Sequence, residues 1–193
     1  HTLAELSKKF PGDLAYDVTL DTTIPVEEGM KEIVHTLLEA LVLVILVVFL
    51  FLQSWRATLI PLLTVPVSLL GAFIFFPFFG FTINTLSLFG LVLAIGLVVD
   101  DAIVVVEAVQ HHLEHGLSPK EATLKAMKEV TGPVMAIALI LSAVFVPTAF
   151  MAGITGQLYQ QFALTIAFSV LISAVNALTL SPALSSILLR PPA

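Results

Sequence analysis

The chain has no cysteine. Disulfides and thiolate metal sites are therefore excluded. Cations are scarce: Lys and Arg together number 8, against 14 Asp and Glu, and no basic cluster forms. A nucleic-acid surface needs such a cluster, so nucleic acid is not an expected partner. Charge of either sign makes up only 11% of the 193 residues. The sequence opens at His1 in a polar stretch, without an initiator methionine or a signal peptide. It reads as a piece cut from a longer protein.

What fills the chain instead is apolar. Hydrophobic residues make up 58% of it, and mean hydropathy is +1.05. Several runs approach the roughly 20 residues that a membrane-spanning helix needs. The expected class is an all-α polytopic membrane protein, with the lipid bilayer as its first partner. Spans are expected at about 33–53, 59–79, 85–107, 133–150 and 159–189, making residues 32–193 a transmembrane domain. Residues 1–31 differ in kind. Leu3, Leu6 and Phe10 stand at helical spacing before Pro11-Gly12, and residues 14–20 alternate loosely, as in a strand. They read as the tail of an upstream α/β domain.

Local signals divide the chain further. His35 and Glu39 share one face at the entrance to the first span, where interfacial pairs are common. Residues 53–56 form a polar hinge with an interfacial Trp and Arg. Pro61 suits the first turn of the second span, and Pro66 falls in its interior. Asn84 is a candidate N-cap for the third. Ser118, Pro119 and Glu121 spell a helix start with a capping box. Residues 119–130 then alternate apolar residues with Lys120, Lys125 and Lys128, as in a basic amphipathic helix on a membrane surface. The last segment is long enough to break near Ser181-Pro182. Asn176 and Thr179, inside it, are expected to bond across helices or to backbone.

The chemistry concentrates in the third span. Asp100 and Asp101 stand side by side with no other charge from 86 to 99 or from 102 to 106. On insertion scales each aspartate costs roughly 2.5–3.5 kcal/mol near a helix centre. Ten or so Leu, Ile and Val at about −0.3 to −0.6 kcal/mol each offset much of that. The helix still inserts, but its acids belong against other helices or a wet cavity, where such groups relay protons or ions. Gly90 and Gly96 precede them, and a missing side chain there permits close helix packing or water entry. Adjacent acids titrate as a coupled pair. No Lys or Arg in the chain lies at membrane depth to neutralise them. Fixed salt bridging is thus disfavoured, and proton relay through Asp100 and Asp101 is the preferred reading. No metal site and no resident cofactor is expected; the energy source is a proton gradient.

Loop charges orient the spans. Arg56, the three lysines of 119–130 and Arg190 follow odd-numbered spans, whereas loops 80–84 and 151–157 hold no cation. The positive-inside bias places 107–131 in the cytoplasm and the N-terminal segment outside.

These residues also resemble a known family. GLVLAIGLVVDDAIVVVE (90–107) is similar to the signature fourth transmembrane helix of resistance–nodulation–division transporters, and most of all to the hydrophobe/amphiphile efflux branch of AcrB-type multidrug pumps. Supporting stretches are FLQSWRATLIPLLTVPVSLLGAF (51–73), FGFTINTLSLFG (79–90), LSPKEAT (117–123) and LSAVFVPTAF (141–150). The resemblance spans essentially the whole chain. It implies the end of a periplasmic porter subdomain followed by transmembrane helices two to six of an inner-membrane drug/proton antiporter. It also implies a homotrimer, a periplasmic adaptor, an outer-membrane channel, and a second half of the same transporter that supplies a lysine to the acid pair. Substrate-binding residues are not identified. Two positions depart from the family pattern: Ala108, where Asn is common, and Asn176, where an apolar residue is usual.

Three other functions compete. A transporter of this superfamily could export a lipid or a metal instead, although the heavy-metal branch typically carries a single acid. An intramembrane aspartyl protease needs acids converging from two helices, and the remaining aspartates, Asp13, Asp17 and Asp21, all sit in the polar lead-in. A purely structural membrane component leaves the unpaired acids without a purpose.

Overall fold

The computed structural model describes residues 23–190. Among them there is no strand; the chain is a bundle of long helices. The strand expected at 14–20 lies outside the described residues. Helix α1 covers Thr23–Leu52, α2 Trp55–Ala72, α3 Phe76–Phe79, α4 Thr85–Glu114, α5 Pro119–Phe145, α6 Gly153–Leu178 and α7 Leu180–Leu188. Short 3-10 turns at Phe73–Phe75 and Val146–Phe150 finish α2 and α5. Five helical stretches are long and apolar enough to cross a membrane. At about 1.5 Å per residue, the thirty-residue α1 and α4 each exceed the roughly 30 Å of hydrocarbon.

Helix α4 is the hub. It packs against α1, α2, α5, α6 and α7, and its broadest contact is with α6. Three apolar clusters surround it. Ile33 and Val48 of α1 meet Val65 and Leu69 of α2 and Leu91, Ile95 and Val98 of α4. Ala57 and Ile60 of α2 meet Val106 and Val109 of α4 and Ala122 and Ala126 of α5. Val105 of α4 meets Val134 and Ala138 of α5 and Ile166, Val170 and Ala174 of α6. The opposite faces present large apolar side chains outward, among them Leu50, Phe51, Leu70, Leu139 and Ile140. Such a surface suits hydrocarbon and would be a liability in water. Helical pairing satisfies most backbone polar groups within each helix, as lipid demands. Hydroxyls follow suit: Thr165 bonds the Gln161 carbonyl, and Ser169 bonds that of Thr165.

Caps and turns follow the residues. Gly80, at φ 65°, adopts the left-handed conformation that closes α3. Asn84 caps α4: its side chain accepts from the Ser87 N–H at 2.9 Å, and Ser87 Oγ lies 2.9 Å from the Asn84 N–H. At α5 the Ser118 N–H and hydroxyl both donate to Glu121 Oε2, at 3.3 and 2.7 Å. Arg56 stacks over the Trp55 ring at 5.4 Å beside the hinge.

Several boundaries differ from expectation. Helix α1 begins at Thr23, well before the first apolar run, so its polar first turns continue the span. Ser54 caps α2 at Trp55, which puts Pro61 in the helix interior rather than in the first turn. The capping hydroxyl and the Trp-Arg pair set that start, ahead of the first apolar run. The amphipathic stretch 119–130 is the opening of α5 itself, and the helix runs on through Pro133 to Phe145. Pro133 removes one N–H, so one turn loses its hydrogen bond while the helix continues. The last segment breaks at Thr179, slightly ahead of Ser181-Pro182. Pro182 cannot donate to the carbonyl four residues earlier, which frees Leu178 to end α6.

Candidate proton site

The acid pair sits near the middle of α4, and the 100° step between adjacent helical residues splits it. Asp101 turns into the bundle and is only 5% exposed. Asp100 turns outward, into an open groove of about 760 Å³ between α1 and α4. That groove is apolar along α1, with Val44, Val47 and Phe51, and polar along α4, with Glu107, Gln110 and His111.

Among the described residues Asp101 has one side-chain partner. Ser173 of α6 donates from Oγ to Asp101 Oδ2 at 2.7 Å. The same Ser173 oxygen lies 3.2 Å from the Val98 carbonyl. Among the described residues no hydrogen bond or ion pair reaches Asp100, and no cation reaches either acid. Two histidine–glutamate contacts form among the described residues: His35 with Glu39 at 3.2 Å, exposed at the start of the first span, and His112 with Glu129 at 3.1 Å. No group of three His, Cys, Asp or Glu is placed to hold a metal among the described residues.

The approach of α6 to α4 that delivers Ser173 depends on small residues. A Cβ on Gly90 would meet the Phe162 carbonyl oxygen at 3.0 Å and Thr165 Cβ at 3.3 Å. Gly90 is therefore a close-packing position. Gly96 has no atom within 4 Å of such a Cβ and lies on the exposed side, with Asp100. The two glycines do different things, although they share one helix.

Asn176 donates from Nδ2 to Ser68 Oγ of α2 at 2.8 Å, and Thr179 Oγ1 bonds the Val175 carbonyl at 2.6 Å. Both follow the expectation of bonds across helices or to backbone. Ser173 is the residue that sequence reasoning passed over. Its signal was a polar position three residues before Asn176, on the same helical face. The His112–Glu129 link between α4 and α5 was also unmarked, because the partners lie 17 residues apart and join only once the helices pack. Asp13, Asp17 and Asp21 lie outside the described residues.

An apolar helical bundle with a carboxylate pair at mid-span defines a polytopic membrane protein with an ionisable site inside it. The chain belongs to the AcrB/AcrD/AcrF family, whose model matches residues 1–193. It is 52% identical over 190 residues to the multidrug export protein AcrF of Escherichia coli (strain K12), covering 98% of this chain and 18% of that one. It is 50% identical over 189 residues to the multidrug resistance protein MdtF of the same strain, covering 97% and 18%. It is also 50% identical over 193 residues to the toluene efflux pump membrane transporter TtgE of Pseudomonas putida, covering 98% and 18%. The chain thus spans about 18% of the length of these relatives.

Proposed function

We propose that the chain is the proton-handling part of the membrane domain of an efflux transporter, and not an enzyme. In this reading Asp100 and Asp101 bind and release protons, and the gradient drives export of hydrophobic or amphiphilic compounds. The observation that carries it is Asp101 itself: a carboxyl group 5% exposed in the middle of an apolar helix, held across helices by the hydroxyl of Ser173. A carboxyl group held by a hydroxyl is served in both states.

The hydrogen bonds explain how. Ser173 has one hydroxyl proton and can also accept. Opposite a carboxylate it donates to Oδ2. Opposite a carboxylic acid it accepts the acid O–H and turns its own proton to the Val98 carbonyl, 3.2 Å away. Neither state leaves a buried polar group unpaired, so the change of state avoids the penalty of an orphaned donor. Asp100, in the groove, is the member that exchanges protons with water. Its proximity couples the two titrations.

The names of the relatives support the substrate class, since they are a multidrug export protein and a toluene efflux pump. The remaining assignments follow the same reading. The protein is a multi-pass protein of the bacterial inner membrane, with the N-terminal segment periplasmic and residues 107–131 cytoplasmic. The second half of the same transporter completes the membrane domain. The assembly is a homotrimer with a periplasmic adaptor and an outer-membrane channel.

The test is export of a hydrophobic dye by cells carrying the full-length transporter with Asp100→Asn or Asp101→Asn. Asparagine keeps the shape and removes the titratable proton. Export is lost while insertion and assembly persist; dye export by both variants at the unmodified rate and matched expression contradicts the reading.

A further inference from the structure

Asn176 has a partner in the structure, and that partner belongs to a longer polar seam. Ser173 and Asn176 are three residues apart on α6 and so lie on one face. Ser173 holds Asp101, while Asn176 reaches across to Ser68 of α2. Ser68 Oγ donates in turn to the Thr64 carbonyl at 2.9 Å, one turn nearer the Arg56 end of the bundle. Three helices thus contribute to a single line of polar groups running away from Asp101, on the side opposite the Asp100 groove.

The line ends in hydroxyls without partners. Thr64 is 2% exposed and Ser181 is fully buried, yet neither Thr64 Oγ1 nor Ser181 Oγ has a hydrogen-bond partner. Buried neighbours such as Ser68, Ser169 and Ser185 bond the carbonyl four residues back, and these two do not. They sit on α2 and α7, which pack against each other at the same end of the bundle. Buried hydroxyls are almost always satisfied, and where protein supplies no partner ordered water does. The Asn176 side chain adds unused capacity: its Oδ1 and its second N–H have no partner among the described residues.

We infer that Asn176, Ser68 and Thr64 hold internal water and form a proton branch joining Asp101, through Ser173, to the Arg56–Arg190 end of the bundle. The inference rests on the reading of Asp101 as a proton carrier. The step is a transfer along hydrogen bonds: the Asp101 acid O–H breaks, the carboxylate forms, and a water takes the proton and passes one on toward the bundle end. Asn176 never takes the proton. Its amide orients the water, donating to Ser68 on one side and offering Oδ1 on the other. An apolar residue at 176 would close the line between Ser173 and Ser68.

The experiment uses the full-length transporter in liposomes with an internal pH dye, measuring proton movement coupled to export in H₂O and in D₂O. Asn176→Leu and the near-isosteric Thr64→Val are expected to slow it several-fold and to enlarge the deuterium effect, because the branch becomes rate-limiting. Asn176→Gln, which stays polar, is expected to keep most of the rate. Thermal unfolding of each variant is followed alongside, since a bond that merely packs helices would lower the midpoint without altering the deuterium effect. Wild-type rates in Asn176→Leu or in Thr64→Val, with Asp101→Asn inactive, overturn the branch and leave the role of Asp101 standing. A loss in Asn176→Leu without a larger deuterium effect overturns it too. Full coupling in Asp101→Asn overturns both.

Discussion

Ser173 Oγ lies 2.7 Å from Asp101 Oδ2, linking α6 to the hub helix α4 at the depth of the acid pair. This one contact decides how a carboxyl group survives inside an apolar bundle. Under the proposed reading it also makes Ser173 a positioning residue for the proton on Asp101.

Removing the hydroxyl with Ser173→Ala leaves a buried carboxyl without its donor, a loss of about 1–3 kcal/mol by general experience with buried orphans. Export falls and the unfolding midpoint drops. Ser173→Thr keeps the hydroxyl and restores most of both. Export rates of the two variants across a pH series check this; equal behaviour of Ala and Thr would deny the hydroxyl a role.

The glycines of α4 separate by packing. Gly90→Ala forces a methyl to 3.0 Å from the Phe162 carbonyl oxygen. Overpacking of this kind costs about 1–3 kcal/mol. Gly96→Ala meets nothing within 4 Å in this bundle. Thermal unfolding of the two variants in detergent is expected to rank Gly90→Ala as clearly the less stable.

His112, with a side chain 7% exposed, and Glu129, 55% exposed, join α4 to α5 at 3.1 Å. A double-mutant cycle with His112→Ala and Glu129→Ala is expected to give a coupling of about 0.5–1.5 kcal/mol, the usual net worth of one hydrogen bond. Strict additivity would mean that the contact carries no energy.

Topology is testable in a clean background, because the chain has no native cysteine. A cysteine at Ser118 is expected to react only from the cytoplasmic side, and one at Thr155 only from outside. Labelling of both from one face would remove the five-span arrangement.

Much of this was legible in the sequence because it is local. Hydropathy marks five spans, and short-range chemistry marks the caps at Asn84 and Ser118. The isolation of Asp100 and Asp101 marks the candidate site. Other features depend on which helix packs where. Pro61 lies inside α2 because Ser54 caps earlier than the apolar run begins. Pro133 sits inside α5 because a helix tolerates one missing N–H when its neighbours hold it. The inward turn of Asp101 and the outward turn of Asp100 follow from the 100° step along α4 and from which of its faces packs against α6. The partnership of Asp101 with Ser173 joins residues 72 positions apart, which no local pattern encodes.

The central claim is that Asp101 gains and loses a proton during transport. The most direct measurement is infrared difference spectroscopy of the full-length transporter in lipid, taken as pH is stepped and compared with Asp101→Asn. The account predicts a carboxylic-acid carbonyl band that appears and disappears with pH, shifts in Ser173→Ala, and is missing from Asp101→Asn. A difference spectrum unchanged by Asp101→Asn would contradict it.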